Sequence, residues 1–261
     1  MPLKLFDGPP PIIAALHLPD FARSRFRSMS WFQDYVLTNV GIFVDAGIPW
    51  VKLQDQTRTS DTAAPDTLTM MAALGCLIRN EFPSLGLGII VEAHDARAAL
   101  SIAHAVNADF VRLKVFVGGA MTAAGPKSAL AASATGYRTQ INREDIALVA
   151  DVHDRTARPL SDEPQPFAAQ WAAKSGADGL IITGSSFDDT RQRVEAVRQT
   201  VPALPILVGG GVTVSNVKAA LSFSDGLVVS SALMRKDADP DDLAQWDPDL
   251  CQRFMEAAKQ T

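Results

Sequence analysis

Residues 176–183 read Gly-Ala-Asp-Gly-Leu-Ile-Ile-Thr, a run in which a helix end passes directly into a buried strand. A glycine just past a helix C-terminus adopts the left-handed conformation at little cost, so the next strand begins at once. Asn107-Ala108-Asp109 repeats the pattern before a strand that starts at Phe110, and Ala46-Gly47-Ile48 is a relative of the same turn. The chain is therefore assembled from units in which a helix leads straight into an apolar strand.

Eight such units follow one another along 261 residues. Strands that alternate with helices imply parallel pairing, and eight units of this size favour a closed (β/α)8 TIM barrel of the phosphate-binding type. The alternative is an open doubly wound sheet, but the first turn, Leu16–Pro19, lacks the glycine-rich fingerprint of that fold. We predict strands at Ile12–Leu16, Pro49–Leu53, Gly88–Glu92, Phe110–Val115, Ala147–Val152, Gly179–Thr183, Pro205–Val208 and Gly226–Ser230, and helices at Trp31–Ala46, Asp66–Phe82, Ala96–Val106, Ser128–Asn142, Gln165–Ser175, Asp188–Thr200, Ser215–Leu221 and Pro240–Lys259.

Composition narrows the class of protein. A net charge of -5 without a basic stripe argues against nucleic-acid binding, although a local basic pocket for an anionic metabolite remains compatible with it. The two cysteines, Cys76 and Cys251, suggest neither a disulfide framework nor a zinc site. The sequence contains no secretory signal pattern and no apolar run long enough to span a membrane. We expect one cytoplasmic domain over residues 1–261, with a homo-oligomer left open.

Ionisable residues cluster where the predicted strands end, which is where (β/α)8 barrels carry their active sites. In the fourth strand, the alternate apolar residues Val111, Leu113 and Val115 suit the outer face, which packs against the helices. Because successive side chains of a strand point to opposite faces, Arg112 and Lys114 point into the barrel. Structural ion pairs explain single members of such a set, but so many charges at one mouth indicate function. The predicted mouth residues are His17, Lys52, Gln54, Glu92, His94, Arg112, Lys114, Asp151 and His153.

A phosphate site is predicted where the seventh strand runs into three glycines, Gly209–Gly211. Consecutive glycines let backbone N–H groups approach an anion, and a helix start at Ser215 adds donors and a favourable dipole. The loops after strands seven and eight are the recurrent phosphate site of this fold. Alternatively, the glycines only make a tight turn. The predicted phosphate and substrate set is Lys52, Gln54, Thr183, Gly184, Gly209, Gly210, Gly211, Ser230 and Ser231.

Several short motifs, in order through nearly the whole chain, resemble the BtpA family, which includes SgcQ-like proteins. The resemblance implies a (β/α)8 barrel related to phosphate-binding barrels, with site positions at His17, Arg112, Asp151, His153, Thr183 and Gly209–Gly211. The founding member of the family is associated with photosystem I biogenesis, and other members occur in sugar metabolism. The matching pieces are Leu16–Pro19, Ala103–Arg112, Gly118–Thr122, Ala150–His153, Ala177–Gly184, Val208–Val212, Asn216–Val217 and Asp225–Gly226.

This chain departs from the family pattern at the reacting end, which marks it as a divergent member. An acidic-aromatic stretch after strand two is replaced by Leu53–Arg58, and the strand-three motif becomes Ile90–Asp95. A usual Asn in strand four is Lys114, and a Lys after the Asp-x-His motif is Arg155. The anion site is retained while the chemistry has changed, so the family does not fix the substrate.

The leading hypothesis is an enzyme acting on a phosphorylated sugar or similar small metabolite, of the isomerase, epimerase, lyase or aldolase type. Asp151 or Glu92 would act as general base and His153 or His17 as acid. Lys114 beside Arg112 would form a Schiff base, or both cations would serve as charge partners of the carboxylates.

Two other hypotheses stay open. Glu92, His94, Asp151 and His153 offer a carboxylate and imidazole set for a divalent metal, although the neighbouring cations oppose it; no cofactor is otherwise implied. A non-catalytic assembly factor would retain the same fold. The arginine-rich loop Pro19–Ser30 is either a lid over an anionic substrate, a subunit contact or a solvated loop.

Overall fold

Apolar segments with period-two alternation pair side by side and close into a parallel eight-stranded barrel, as predicted. The computed structural model describes residues 3–56 and 61–259. Thr57 and Arg58 of the departure at Leu53–Arg58 lie outside these ranges. The strands are β1 Ile12–His17, β2 Trp50–Gln54, β3 Gly86–Ile90, β4 Phe110–Leu113, β5 Gly119–Thr122, β6 Gly125–Ser128, β7 Ala147–Asp151, β8 Arg158–Pro159, β9 Gly179–Ile182, β10 Ile206–Val208 and β11 Gly226–Val229. Eight of them form the barrel, in the order β1-β11-β10-β9-β7-β4-β3-β2.

Helices cover the outside of the barrel and begin at recognisable capping residues. Ser28, Asp95 and Ser186 each accept a hydrogen bond from the backbone N–H three residues on, which satisfies one open donor of the helix that follows. Within the described residues, no helix is long and apolar enough to cross a bilayer. The helices are α1 Met29–Asp45, α2 Pro65–Glu81, α3 Ala96–Ala105, α4 Ala131–Gln140, α5 Gln165–Lys174, α6 Phe187–Thr200, α7 Val217–Phe223 and α8 Pro248–Lys259, with 3-10 turns at Lys4–Phe6 and Ser231–Leu233.

Strand parity divides the buried apolar residues into two cores. Residues such as Val111 and Leu113 of β4 point outward and pack with the helices, as predicted. The opposite parity fills the barrel interior, where Ile13, Val149 and Leu207 pack together above the N-terminal Leu5. The lower half of the barrel is thus an apolar plug, which leaves the polar inward residues for the upper half.

The third strand begins two residues earlier than predicted and ends before Glu92. Gly88 was predicted as the first residue of this strand and Gly86 lay outside it, but both are positions within β3 that make room for large neighbours. A Cβ on Gly86 would lie 1.9 Å from the Trp50 ring, and one on Gly88 would lie 2.0 Å from the Phe110 ring. Aromatic side chains from the two adjacent strands therefore occupy the space that these glycines leave.

A three-stranded antiparallel sheet, in the order β6-β5-β8, lies outside the barrel and was not predicted. Its strands are short and rich in glycine and proline, so they lack the apolar alternation of a strand. The predicted fourth strand was too long, because Val115 has a positive φ of 47° and turns the chain toward this sheet. The helix predicted from Ser128 begins at Ala131, since Ser128 pairs with Gly119 instead.

The last helix starts at Pro248 rather than at Pro240. The eight preceding residues form turns, in which the side chain of Gln245 donates to the carbonyl oxygens of Asp239 and Asp242. They carry the fully buried Trp246 against Phe43 of α1. The predicted helix Pro240–Lys259 was therefore too long at its start.

The arginine-rich loop Pro19–Ser30 is fastened to the outside of the molecule. Arg27 stacks on Trp31 with its guanidinium 3.6 Å from the ring centre and forms an ion pair with Asp241. Arg23 pairs with Asp20 and Arg25 with Asp66. These contacts place the three arginines beside surface carboxylates, while the lid, subunit-contact and solvated-loop interpretations stay predictions.

We expect Gly88→Ala to destabilise the protein by about 1–3 kcal/mol, because its methyl group would overlap the Phe110 ring inside a closed barrel. The matched control is Gly41→Ala in α1, where an added Cβ meets nothing within 4 Å. Helix propensity predicts that this control is neutral or stabilising by up to about 1 kcal/mol. Urea unfolding of both variants measures the difference, and equal stabilities would contradict the packing described for β3.

Candidate functional site

The upper ends of the barrel strands surround a cavity of about 310 Å³. Ligand sites are commonly of this size, and the C-terminal face of the strands is where the fold places them. Twelve of the predicted residues line the cavity: His17, Lys52, Gln54, Glu92, Arg112, Lys114, Thr183, Gly209, Gly210, Gly211, Ser230 and Ser231.

Arg112 and Asp151 form a bidentate ion pair below the cavity. The guanidinium Nε and Nη2 donate to the two carboxylate oxygens, both at 2.7 Å. The side chains are 11% and 3% exposed, so neither charge is hydrated as in water. Two parallel hydrogen bonds in a dry site hold both groups in fixed orientations. Asp151, predicted as a general base, is the counterion of Arg112 in this structure.

A second chain of polar contacts crosses the cavity from β2 to the end of β4. Lys52 Nζ donates to Gln54 Oε1 at 2.5 Å, and Gln54 Nε2 donates to Glu92 Oε1 at 2.6 Å. Lys114 Nζ lies 3.0 Å from both oxygens of Glu92 and 3.8 Å from Asp154. Glu92 is thereby held at the centre of a network that links three elements.

Asp55 and Asp154 support this network although neither was predicted. Asp55, fully buried just after β2, accepts a hydrogen bond from the backbone N–H of Glu92 at 2.6 Å. That contact places Glu92 at the mouth even though β3 ends at Ile90. Lys114 and Asp154 lie beyond their own strand ends and interact because their loops bring them together.

Burial and nearby charge change the ionisation of Lys52. It is 1% exposed, and burial lowers the pKa of Lys52 well below its ordinary value; the Arg112 guanidinium lowers it further. Glu92 and Asp151 act in the opposite direction but more weakly. Removal of the ammonium from water and the proximity of like charges both favour the neutral amine.

The glycine loop after β10 presents backbone donors to the cavity. Among the described residues, the N–H groups of Gly210, Gly211 and Val212 donate to no protein acceptor. Gly209 must be glycine, because a Cβ there would lie 2.4 Å from Thr183 Oγ1. Gly211 has a φ of +76°, which only glycine adopts readily.

Two further features of the cavity beside this loop favour an anion. The buried hydroxyl of Ser230 has no hydrogen-bond partner in the described part of the chain. A Cβ built on Gly210 would lie 3.7 Å from the guanidinium of Arg155, so a cation stands beside the loop. Adjacent backbone donors with a neighbouring positive charge form a concavity suited to a phosphate.

The helix expected to support this loop begins later than predicted. It starts at Val217 rather than Ser215, and the intervening turn is closed by contacts of Asn216 with Thr213 and Gly211. The anion donors therefore belong to the loop itself and not to a helix end.

Four predicted residues do not line the cavity. His94 contacts the carbonyl oxygen of Ser128 at 2.6 Å, and the Gly184 N–H donates to Thr190 Oγ1. His153 has a φ of 55° and lines a separate pocket; burial lowers its pKa, and so does Arg193. The fourth is Asp151, described above. Parity inferred from a strand does not extend past the last paired residue, Asp151 in β7.

The proposed metal set is not assembled. Glu92 and Asp151 are engaged by Lys114 and Arg112, His94 contacts the Ser128 carbonyl oxygen, and His153 lines a separate pocket. In the ranges that the structure describes, no three His, Cys, Asp or Glu side chains gather as metal ligands.

Arg155 and Thr156 line the cavity but were not in the predicted set. The available signal was the run Asp151–Arg155, in which charged residues continue past the strand end. A loop has no fixed side-chain alternation, so the sequence did not show which of these residues turn toward the mouth.

Comparison with known proteins places the chain. The family model for the BtpA family matches residues 9–260. The chain belongs to the BtpA family. The uncharacterized protein PH1209 of Pyrococcus horikoshii is 29% identical over 228 residues, which cover 85% of this chain and 86% of that protein. The photosystem I biogenesis protein BtpA of Synechocystis is 30% identical over 152 residues, which cover 57% of this chain and 53% of that protein.

Solved structures support the fold. N-(5'-phosphoribosyl)anthranilate isomerase of Pyrococcus furiosus superposes with a TM-score of 0.55, over 96% of this chain and 100% of that protein, at 11% sequence identity. At this identity the likeness establishes the (β/α)8 barrel and not the reaction.

We expect Asp151→Asn to destabilise the protein by about 3–5 kcal/mol, because it leaves the buried Arg112 guanidinium without its counterion. The control is Glu195→Gln, which removes the exposed ion pair with Arg191 on α6 and should cost about 0.5 kcal/mol or less. Chemical denaturation of both variants gives the comparison. A loss for Asp151→Asn no larger than that of the control would refute the buried pair.

Proposed function

We propose that this BtpA-family protein is an enzyme that acts on a small phosphorylated metabolite, with the phosphate bound by the Gly210–Val212 loop. The main support is the set of cavity-lining polar groups that lack partners among the described residues: the backbone N–H groups of Gly210, Gly211 and Val212 and the buried hydroxyl of Ser230. Buried polar groups are nearly always hydrogen-bonded in folded proteins, so a ligand is the natural partner of the Ser230 hydroxyl, and an anion bound in the cavity would also accept hydrogen bonds from the loop N–H groups.

The charge around the cavity supports an anionic ligand. Arg112 and Lys114 have carboxylate partners, but Arg155 beside the glycine loop forms no ion pair with any described residue. A phosphate would accept hydrogen bonds from the loop and receive the unbalanced positive charge of the guanidinium.

The remaining cavity residues offer proton transfer at carbon or oxygen. Glu92 is 3% exposed and oriented by Gln54 and Lys114, so its carboxylate is positioned to act as a general base. His17, at the end of β1, lines the same cavity and is the imidazole available for the acid role. These groups favour an isomerase, epimerase, lyase or aldolase. His153, the other acid considered, lies in a different pocket.

We expect inorganic phosphate and sugar phosphates to raise the melting temperature of the protein, and Gly210→Asp to abolish the increase. Ligands that bind only the native state stabilise it by mass action. At Gly210 a Cβ meets no atom closer than 3.7 Å, so the variant should fold while its carboxylate occupies the anion site next to Arg155. Thermal-shift measurements over a phosphate titration test this.

A second pair of variants separates charge from bulk. Arg155→Met should weaken phosphate binding, while Arg158→Met, an exposed arginine in β8 of the same segment, should leave it unchanged. The proposal fails if the folded wild-type protein shows no shift with any phosphate compound, or if Gly210→Asp and wild type respond equally.

A further inference from the structure

Lys52 is a cavity residue that neither the phosphate site nor the general base explains. It lies on β2, two residues before the strand end, and pairs in register with Ala15 of β1 and Gly88 of β3. Its side chain is almost fully buried yet lines the cavity. A buried lysine is costly to a fold unless its charge is matched, so its retention at this position requires a reason.

The partners of Lys52 differ from those of Lys114, the other lysine at the mouth. Lys114 Nζ forms ion pairs with Glu92 and Asp154. Lys52 Nζ has one hydrogen-bond partner among the described residues, the neutral Gln54 Oε1, and no described carboxylate lies within 4.0 Å. The Gln54 side-chain oxygen accepts one hydrogen bond from Lys52 Nζ. Because this oxygen is neutral, it does not balance the positive charge of a protonated Lys52.

Charge around Lys52 favours a neutral amine. Arg112 and Lys114 share its cavity, and Arg112 lies next to it in the barrel interior. Burial and the Arg112 guanidinium both lower the pKa of Lys52, as described above. A neutral amine has a free electron pair, which makes it a nucleophile toward carbonyl carbon.

We propose that Lys52 forms an imine with the carbonyl group of a phosphorylated aldehyde or ketone whose phosphate lies at the Gly210–Val212 loop. This deepens the proposed function and rests on it. Lys52 and the loop line one cavity of about 310 Å³, which accommodates a small sugar phosphate spanning the two.

The step is a condensation without an external oxidant or reductant. The neutral Lys52 nitrogen attacks the carbonyl carbon, a C–N bond forms and the carbonyl electrons move to oxygen. Proton transfers convert that oxygen to water, which leaves as the protonated C=N bond forms. Overall, the neutral lysine amine, the carbonyl compound and one proton, which His17 as the proposed acid of the cavity would supply, give a protonated imine and one water. The protonated imine withdraws electrons from the neighbouring carbon, from which Glu92 is positioned to remove a proton.

Borohydride trapping tests the proposal directly. The native protein is incubated with glyceraldehyde 3-phosphate, reduced with sodium borohydride, which converts an imine to a stable secondary amine, and mapped by peptide mass spectrometry. We expect the adduct on Lys52. The adduct should be lost in Lys52→Met and kept in Lys174→Met, which removes an exposed lysine of α5. The melting temperature of Lys52→Met, with and without inorganic phosphate, shows that this variant folds and keeps its anion site.

Unphosphorylated glyceraldehyde distinguishes the two proposals. Faster labelling of Lys52 by the phosphorylated compound supports both. Equal labelling by the two aldehydes supports the amine and removes the phosphate anchor. If phosphate stabilises the wild-type protein but the adduct forms elsewhere or not at all, the imine proposal is wrong and the phosphate site stands.

Discussion

Charges that enter the top of this barrel must be balanced within it, and the arrangement of the mouth follows from that constraint. The inward parity of β2, β4 and β7 fixes Lys52, Arg112 and Asp151 in a region with little water. An isolated ion there would be severely destabilising, so each needs a partner or must lose its charge. Arg112 has Asp151 as its partner, and the one partner of Lys52 within the described ranges is the amide of Gln54. The two cations therefore differ: Arg112 is held as an ion pair, whereas the environment of Lys52 favours the neutral amine.

The same constraint explains why the cavity suits an anionic substrate. Arg112 and Lys114 each have a carboxylate partner. Arg155, beside the glycine loop at the rim of the cavity, forms no ion pair with a described residue. The glycine loop adds backbone donors on the same side. A phosphate at this end would orient the rest of a ligand toward Lys52 and Glu92. The lack of a carboxylate partner for the buried Lys52 among the described residues supports the proposed enzyme over a non-catalytic assembly factor.

Sequence reasoning succeeded wherever backbone geometry repeats. The barrel and the inward orientation of Lys52, Gln54 and Arg112 follow from period-two and helix-strand alternation, and the resemblance of short motifs predicted the BtpA family. The predicted side-chain directions were wrong beyond the strand ends, because no hydrogen-bonded strand pairing fixes the side-chain direction there. Glu92 and Lys114 still reach the cavity because their side chains are long and Asp55 fixes the Glu92 backbone. His94 and His153, shorter and set in irregular loops, do not. The outer antiparallel sheet was missed because its strands are held by backbone pairing rather than by a buried face.

Binding of an anion by the glycine loop is the central proposal for this protein. A crystal structure with inorganic phosphate tests it most directly. We expect phosphate density within hydrogen-bond distance of the N–H groups of Gly210, Gly211 and Val212 and of the Ser230 hydroxyl. The Arg155 guanidinium should be turned toward the phosphate. A phosphate bound elsewhere at the mouth while these donors stay unoccupied, or an empty loop at a saturating phosphate concentration, would contradict it.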